Sequence, residues 1–305
     1  MFRTPPRDDR SPTIYRSEEA ERRIKQQYRR MVDELGASVS RRWVETPTGV
    51  THMLTAGDTD APPLVIFHGG NSINPITFRW FLPLADRYQL LAPDTPGQPG
   101  FSSQRRLDPN EAEFADWITA VLDELALERA PMVGVSYGAG ILLRTATYHP
   151  ERIERAALIV PAGLGTGPFI PMARELLWPT LRHRVIPSRE HLEAAIQPLF
   201  TEPVDVVDPA VIDAISAVLD GVKIERRLPP AATAAELADF EASTLVAAAS
   251  EDVLFPPETV IPRARDVLTN LEVVMHLRGE RHIPSPQAIE KVRRYLRTFL
   301  EDDTT

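Results

Sequence analysis

The amino-acid sequence predicts an α/β protein, a mainly parallel central sheet flanked by helices and carrying an inserted helical cap. Three observations lead there. Short apolar runs alternate with amphipathic segments of helical period from residue 64 onward. Residues 163–242 interrupt that alternation with helical pieces and no convincing strand. A Gly134-Val135-Ser136-Tyr137-Gly138 pentad stands where one apolar run passes into a helical pattern rich in small residues.

Composition narrows the chemistry. The chain has 305 residues, 34 basic against 43 acidic side chains, and a net charge of −9. At this length roughly three-quarters of the unfolded surface can be buried, so the core needs neither disulfides nor a metal. Cysteine is absent, which excludes disulfides, thiolate metal sites and cysteine nucleophiles. The acidic balance argues against a phosphate-backbone binder, and no nucleic-acid partner is expected. Met1–Pro12 lacks the apolar core of a signal peptide, and no run of ~18 apolar residues follows. A soluble, cytoplasmic protein without membrane insertion is expected.

Taken in order, residues 1–37 read as an N-terminal arm and amphipathic helix. Ser17 can cap the helix, Glu18, Glu19 and Glu21 suit its first turn, and Gly36 can end it. Ile24, Tyr28, Met31 and Leu35 fall on one face. Three placements suit it: on the core, in a subunit interface, or over a pocket. The sequence sets no oligomeric state.

Val39–Glu45 and Val50–Thr55 alternate around Pro47-Thr48-Gly49 and predict a hairpin. Leu64-Val65-Ile66-Phe67 is apolar throughout, as in a strand buried on both faces. Tyr88–Pro93 is a further strand. Asp108-Pro109-Asn110-Glu111 is expected to open a helix whose apolar face includes Phe114, Trp117, Ile118 and Val121. Pro131–Val135 (strand), Tyr137–Tyr148 (helix) and Ala156–Val160 (strand) follow. After the interruption come the strand Thr244–Ala249, a helix near Glu258–Val267, the strand Leu271–Leu277 and a helix from Ser285-Pro286. Residues 38–162 and 243–305 are therefore assigned to one core domain, and 163–242 to the cap. Nine prolines, from Pro168 to Pro230, divide the cap into short helices, the clearest being Asp208–Gly221.

The pentad carries the chemistry. A serine hydroxyl is a poor nucleophile unless it is aimed and paired with a base. A tight strand-to-helix turn does the aiming, and flanking glycines remove side chains that would clash. Ser136 is the candidate nucleophile. Of seven histidines, His282 lies in a loop after the last strand, where catalytic groups of parallel sheets gather. A carboxylate should orient it, and Ser250-Glu251-Asp252 follows another strand. Asp252 is preferred and Glu251 is the alternative. Backbone N–H groups of Tyr137 and Gly70 are the candidate oxyanion donors, with Asn71 as an alternative to Gly70. Such donors are worth roughly 3 kcal/mol each in a transition state. His68 is expected to hold its loop rather than to react.

With these residues in place, the chain resembles the α/β-hydrolase superfamily over about residues 38–300. The resemblance rests on His68-Gly69-Gly70, the Gly134–Gly138 elbow, Asp252 with Pro256, and His282. Asp94-Thr95-Pro96-Gly97-Gln98-Pro99-Gly100-Phe101-Ser102 is similar to that superfamily's D-x-x-G-x-G-x-S, with one residue extra. The resemblance implies an α/β-hydrolase fold, with residues 163–242 as a cap over the pocket. Asn71, Trp178, Leu181 and Phe200 are then candidate pocket residues, alongside Leu177 and Leu199. Serine at 136 disfavours the aspartate-nucleophile branches. No dinucleotide fingerprint, P-loop or H-E-x-x-H motif occurs, so neither cofactor nor metal is expected. The expectation is a serine hydrolase of small-molecule carboxylic esters, esterase-like in branch. Alternatives on the same residues are a carbon–carbon bond hydrolase, a haloperoxidase or perhydrolase, an acyltransferase, or a non-hydrolytic ligand receptor.

Overall fold

A computed structural model describes residues 12–36 and 38–301. Most of the expected N-terminal arm, residues 1–11, lies outside the described residues. Among them, eight strands form one sheet: β1 (Ser40–Thr46), β2 (Gly49–Ala56), β3 (Pro63–Phe67), β4 (Gln89–Pro93), β5 (Ala130–Val135), β6 (Ile153–Ile159), β7 (Ser243–Ala249) and β8 (Leu271–Leu277). They lie in the order β1-β2-β4-β3-β5-β6-β7-β8. β1 and β2 make the expected hairpin, with Thr46 opposite Gly49 across the two-residue turn Pro47-Thr48. β2 also runs antiparallel to β4, and the remaining pairs are parallel.

Successive strand residues feed two different hydrophobic clusters, one on each face. Leu64 and Ile66 of β3, Leu245 and Ala247 of β7 enter one; Val65, Phe67, Val246 and Ala248 enter the other. This is why these strands read as continuous apolar runs instead of alternating ones.

The helices of the core are α1 (Glu18–Leu35), α2 (Asn74–Phe81), α3 (Glu113–Glu124), α4 (Tyr137–Tyr148), α9 (Pro257–Val267) and α10 (Pro286–Glu301). The segment 163–242, expected to form the cap, contributes α5 (Phe169–Met172), α6 (Trp178–Val185), α7 (Arg189–Ile196) and α8 (Pro209–Gly221), with a π-helical turn at Ala173–Leu177 joining α5 to α6. No strand of the sheet falls between β6 and β7 among the described residues. None of the helices is long and apolar enough to cross a membrane among the described residues.

Of the three placements open to the N-terminal helix, the structure adopts the core. Ser17 Oγ accepts from Ala20 N at 3.1 Å and caps α1 as expected. Ile24, Tyr28 and Met31 are buried in the cluster that also holds Val211 and Val218 of the cap helix α8. Each such burial is worth roughly 2 kcal/mol. Arg16 N donates to Gly221 O at 2.8 Å and Lys223 N to Ile14 O at 2.8 Å, tying the chain ahead of α1 to the end of α8.

One local expectation needs correction. The helix expected from Asp108 starts at Glu113. Asp108 instead accepts from Asn110 N at 3.0 Å, and its own N–H goes to Glu113 Oε2 at 2.7 Å, so residues 108–112 form turns. No amphipathic stripe marks α2 in the sequence, because Asn74 to Phe81 is buried on nearly every side, Arg79 excepted.

Candidate active site

Ser136 sits between β5 and α4 with φ 54° and ψ −115°, a conformation a non-glycine residue rarely adopts. Its main chain is pinned from two sides. Ser136 N donates to Ile159 O at 2.9 Å, and Ala162 N donates to Ser136 O at 3.1 Å. These contacts to the end of β6 hold a strain of roughly 1–3 kcal/mol. The flanking glycines answer to close approach: a Cβ at Gly134 would stand 2.5 Å from Ala139 Cα, and one at Gly138 2.3 Å from Phe67 O. The two residue types flanking the serine thus follow from the packing of the elbow on α4 and β3.

The turn aims Ser136 Oγ at His282 Nε2, 3.0 Å away. His282 Nδ1 lies 2.8 Å from Asp252 Oδ2. Since the carboxylate can only accept, Nδ1 carries the proton, and Nε2 presents a lone pair to the serine hydroxyl. Asp252 Oδ1 accepts from Leu254 N at 2.8 Å and Phe255 N at 3.2 Å. Its side chain is wholly buried, while that of His282 is 11% exposed and Ser136 is half-buried, so the serine and the imidazole are the accessible members of the group. Glu251, the alternative acid, is exposed, with its carboxylate 4.0 Å from Arg281 Nη2.

Gly70 lies beside the elbow, where an added Cβ would meet the Tyr137 side chain at 2.9 Å. Tyr137 opens α4, so its N–H has no acceptor within the helix. Burial pushes the Tyr137 phenol well above its ordinary pKa, and nearby Glu225 adds to the effect, so the ring covering Gly70 is neutral. Asn71 is otherwise employed. Its N–H donates to Gln98 Oε1 at 2.7 Å, its Nδ2 to Glu225 O at 2.9 Å, and its Oδ1 accepts from Glu225 N at 2.7 Å. Asn71 is therefore a strap between the β3 loop and the cap, not a free donor.

The candidate pocket residues separate. Phe200 is buried and bridges to Ile283, next to His282. Trp178 and Leu181 are 66% and 53% exposed and line an outward groove with Phe169, Ile170 and Leu177. The reason is helical phase: Leu176 and His183, one helical face away, take the buried positions of this segment.

Several supporting contacts were not legible in the sequence. Residues 197–201 of the cap grip the histidine loop: Arg281 N donates to Thr201 Oγ1 at 2.7 Å, Ile283 N to Leu199 O at 2.7 Å, and Thr201 N to Ile283 O at 3.1 Å. Only the proximity of polar and proline residues at 197–203 hinted at a turn there. Asp94, at the end of β4, is buried and accepts from Tyr28 Oη at 2.7 Å, Asn74 Nδ2 at 3.0 Å and Phe101 N at 2.9 Å, with His52 Nδ1 at 2.9 Å. Burial alone would raise its carboxyl, but the His52 ring and these donors outweigh that and hold it below the usual carboxylate value. His68 accepts from Thr95 N at Nε2, 3.0 Å, and stands 2.8 Å from Gly69 O through Nδ1. Burial lowers its pKa, so a neutral ring braces the loop. Among the described residues, no group of three His, Asp or Glu side chains could hold a metal ion.

This arrangement can move one proton between a hydroxyl and an imidazole. Comparison with known proteins bears on the fold. Residues 62–182 match the family model for the alpha/beta hydrolase fold. Carboxylesterase YbfK of Bacillus subtilis is 32% identical over 120 residues, 39% of this chain and 40% of the relative. The 2-hydroxymuconate semialdehyde hydrolase of a Pseudomonas species is 37% identical over 107 residues, 33% of this chain and 37% of the relative. The matched stretch thus spans about two-fifths of these curated relatives. The naproxen esterase (carboxylesterase NP) structure from Bacillus subtilis superposes with a TM-score of 0.79 at 21% identity, covering 93% of this chain and 99% of that one. The chain has the α/β-hydrolase fold.

Proposed function

We propose that this α/β-hydrolase-fold chain is a serine hydrolase of carboxylic esters. One observation carries the reading: Ser136, His282 and Asp252 form an unbroken hydrogen-bonded line at the strained elbow. In the proposed reaction Ser136 Oγ attacks the ester carbonyl carbon while its proton passes to His282 Nε2. The tetrahedral oxyanion is held by the N–H groups of Gly70 and Tyr137. Collapse expels the alcohol, which takes the proton from His282. Water then adds to the acyl carbon, its proton goes to His282, and the carboxylic acid leaves as Ser136 recovers its hydrogen. Asp252 keeps the imidazole in the reactive tautomer throughout.

The likeness to a 2-hydroxymuconate semialdehyde hydrolase supports a second reading, carbon–carbon bond hydrolysis by the same three residues. A fluorophosphonate probe with peptide mapping tests the nucleophile: label is expected on Ser136 and lost in Ser136→Ala. Hydrolysis of p-nitrophenyl esters of increasing chain length, set against a vinylogous diketone, separates the two substrate classes. Equal inactivity of wild type and Ser136→Ala toward both would overturn the hydrolase reading.

A further inference from the structure

The helical segment 169–185 of the cap turns an apolar side to water. Among the described residues, seven of the eleven exposed large hydrophobic side chains lie between Phe169 and Ile186. Ile170 is 78% exposed, Val185 71% and Phe169 68%, beside Trp178 and Leu181. Isolated exposed apolar residues are ordinary on a protein surface, but a contiguous strip on one helical segment is not. Within α6, Trp178 and Arg182 form one row along the helix, and Leu181 and Val185 form the row beside it. A shallow groove of about 470 Å³ runs along this side.

Charge distinguishes what can cover it. Arg174 and Arg182 are exposed within the strip, Arg184 is half-buried behind it, and none of the three forms an ion pair among the described residues. Arg189, at the start of α7, is paired with Glu193. Glu175, the one carboxylate between residues 168 and 189, faces a different cavity, beside Asp252 and Arg281. Burial lowers the Arg184 pKa, and the positive charges of Arg16 and Arg226 add to the effect, against Asp220. Unpaired positive charge therefore lies within and behind the strip, on a chain whose net charge is −9. Two-fold pairing with a second copy would set these unpaired guanidinium groups against each other. An anionic headgroup layer would complement them, and tryptophan suits its boundary with the acyl chains.

We propose that this face docks the protein on an anionic lipid surface, with Phe169, Ile170, Trp178, Leu181 and Val185 in the headgroup–acyl boundary and Arg174 and Arg182 on lipid phosphates. The helices lie on the bilayer without spanning it. The proposal concerns binding and holds whichever bond the Ser136 site cleaves.

Flotation of the full chain with phosphatidylcholine vesicles, with and without phosphatidylglycerol, tests it. The expected result is co-flotation with the anionic vesicles, much weaker with phosphatidylcholine alone, and a blue shift of tryptophan emission that Trp178→Phe removes. Leu181→Gln with Val185→Gln should weaken partitioning about tenfold or more. Arg174→Gln and Arg182→Gln should each weaken it about fivefold. Because these side chains are exposed, thermal unfolding should be unchanged, which separates lost binding from lost folding. Wild type that stays with neither vesicle, or variants that float as well as wild type, would overturn the proposal. So would a dimer in sedimentation equilibrium that Leu181→Gln dissociates, since the face would then belong to a second copy.

Discussion

Asn71 and Glu225, 154 residues apart, exchange two hydrogen bonds: Asn71 Nδ2 donates to Glu225 O at 2.9 Å, and Glu225 N donates to Asn71 Oδ1 at 2.7 Å. Asn71 holds φ at 49°, a left-handed conformation that asparagine tolerates better than most residues. The pair fixes the loop that presents Gly70 against the cap. At the cap end, Glu225 is itself braced. Burial would raise its carboxyl, but hydrogen bonds from Arg227 and the charge of Arg106 hold it below the usual value.

Asn71→Ala should therefore lower both stability and turnover. Loss of two bonds at about 1 kcal/mol each predicts a drop of ~2 kcal/mol in urea unfolding. Asn71→Gly keeps the backbone conformation accessible and loses the same bonds, so equal effects would assign the loss to the side-chain strap.

Asp252→Asn should reduce kcat by about 10⁴-fold with little change in KM, because the amide cannot stabilise an imidazolium and favours the wrong tautomer. Glu251→Gln removes only an exposed charge 4.0 Å from Arg281, an arrangement worth ~0–1 kcal/mol, and should leave kcat near wild type. Steady-state kinetics on one soluble ester distinguishes the two acids.

Thr201→Val should act on turnover without touching the substrate. The hydroxyl accepts from Arg281 N, the residue before His282, and its removal leaves that N–H without its partner. A penalty of ~1–1.5 kcal/mol in placing the imidazole predicts about a tenfold fall in kcat with KM unchanged. Thr201→Ser retains the oxygen and should restore the rate.

The buried Asp94 cluster predicts an acid-dependent contribution to stability. Its carboxyl is held below the usual value, so the stabilisation is complete above the unfolded pKa of ~3.9 and is lost as pH falls through the lower folded value. Asp94→Asn should cost ~3 kcal/mol near neutrality, with the gap to wild type closing in acid. Tyr28→Phe deletes one bond to this carboxylate and should cost ~1.5–3 kcal/mol, measured by urea unfolding at neutral pH.

The sequence by itself determined the layers of the fold, because hydrophobic period and apolar run length are local properties. It also marked Ser136, His282 and the acidic pair at 251–252, since each stands at the end of a strand and sheet topology places such ends together. It preferred Asp252 and kept Glu251 as the alternative; only the folded chain separates them, because one residue of backbone rotation sends one carboxylate to the imidazole and the other toward Arg281. The sequence could not show that Trp178 and Leu181 face water while Leu176 and His183 face inward, since apolar residues occupy both sides of that segment. The straps from Asn71 to Glu225 and from Thr201 to Arg281, and the docking of α1 through Tyr28 on Asp94, were decided by tertiary structure alone. These contacts join residues far apart in the chain, and no local pattern encodes which polar groups will meet once the layers close.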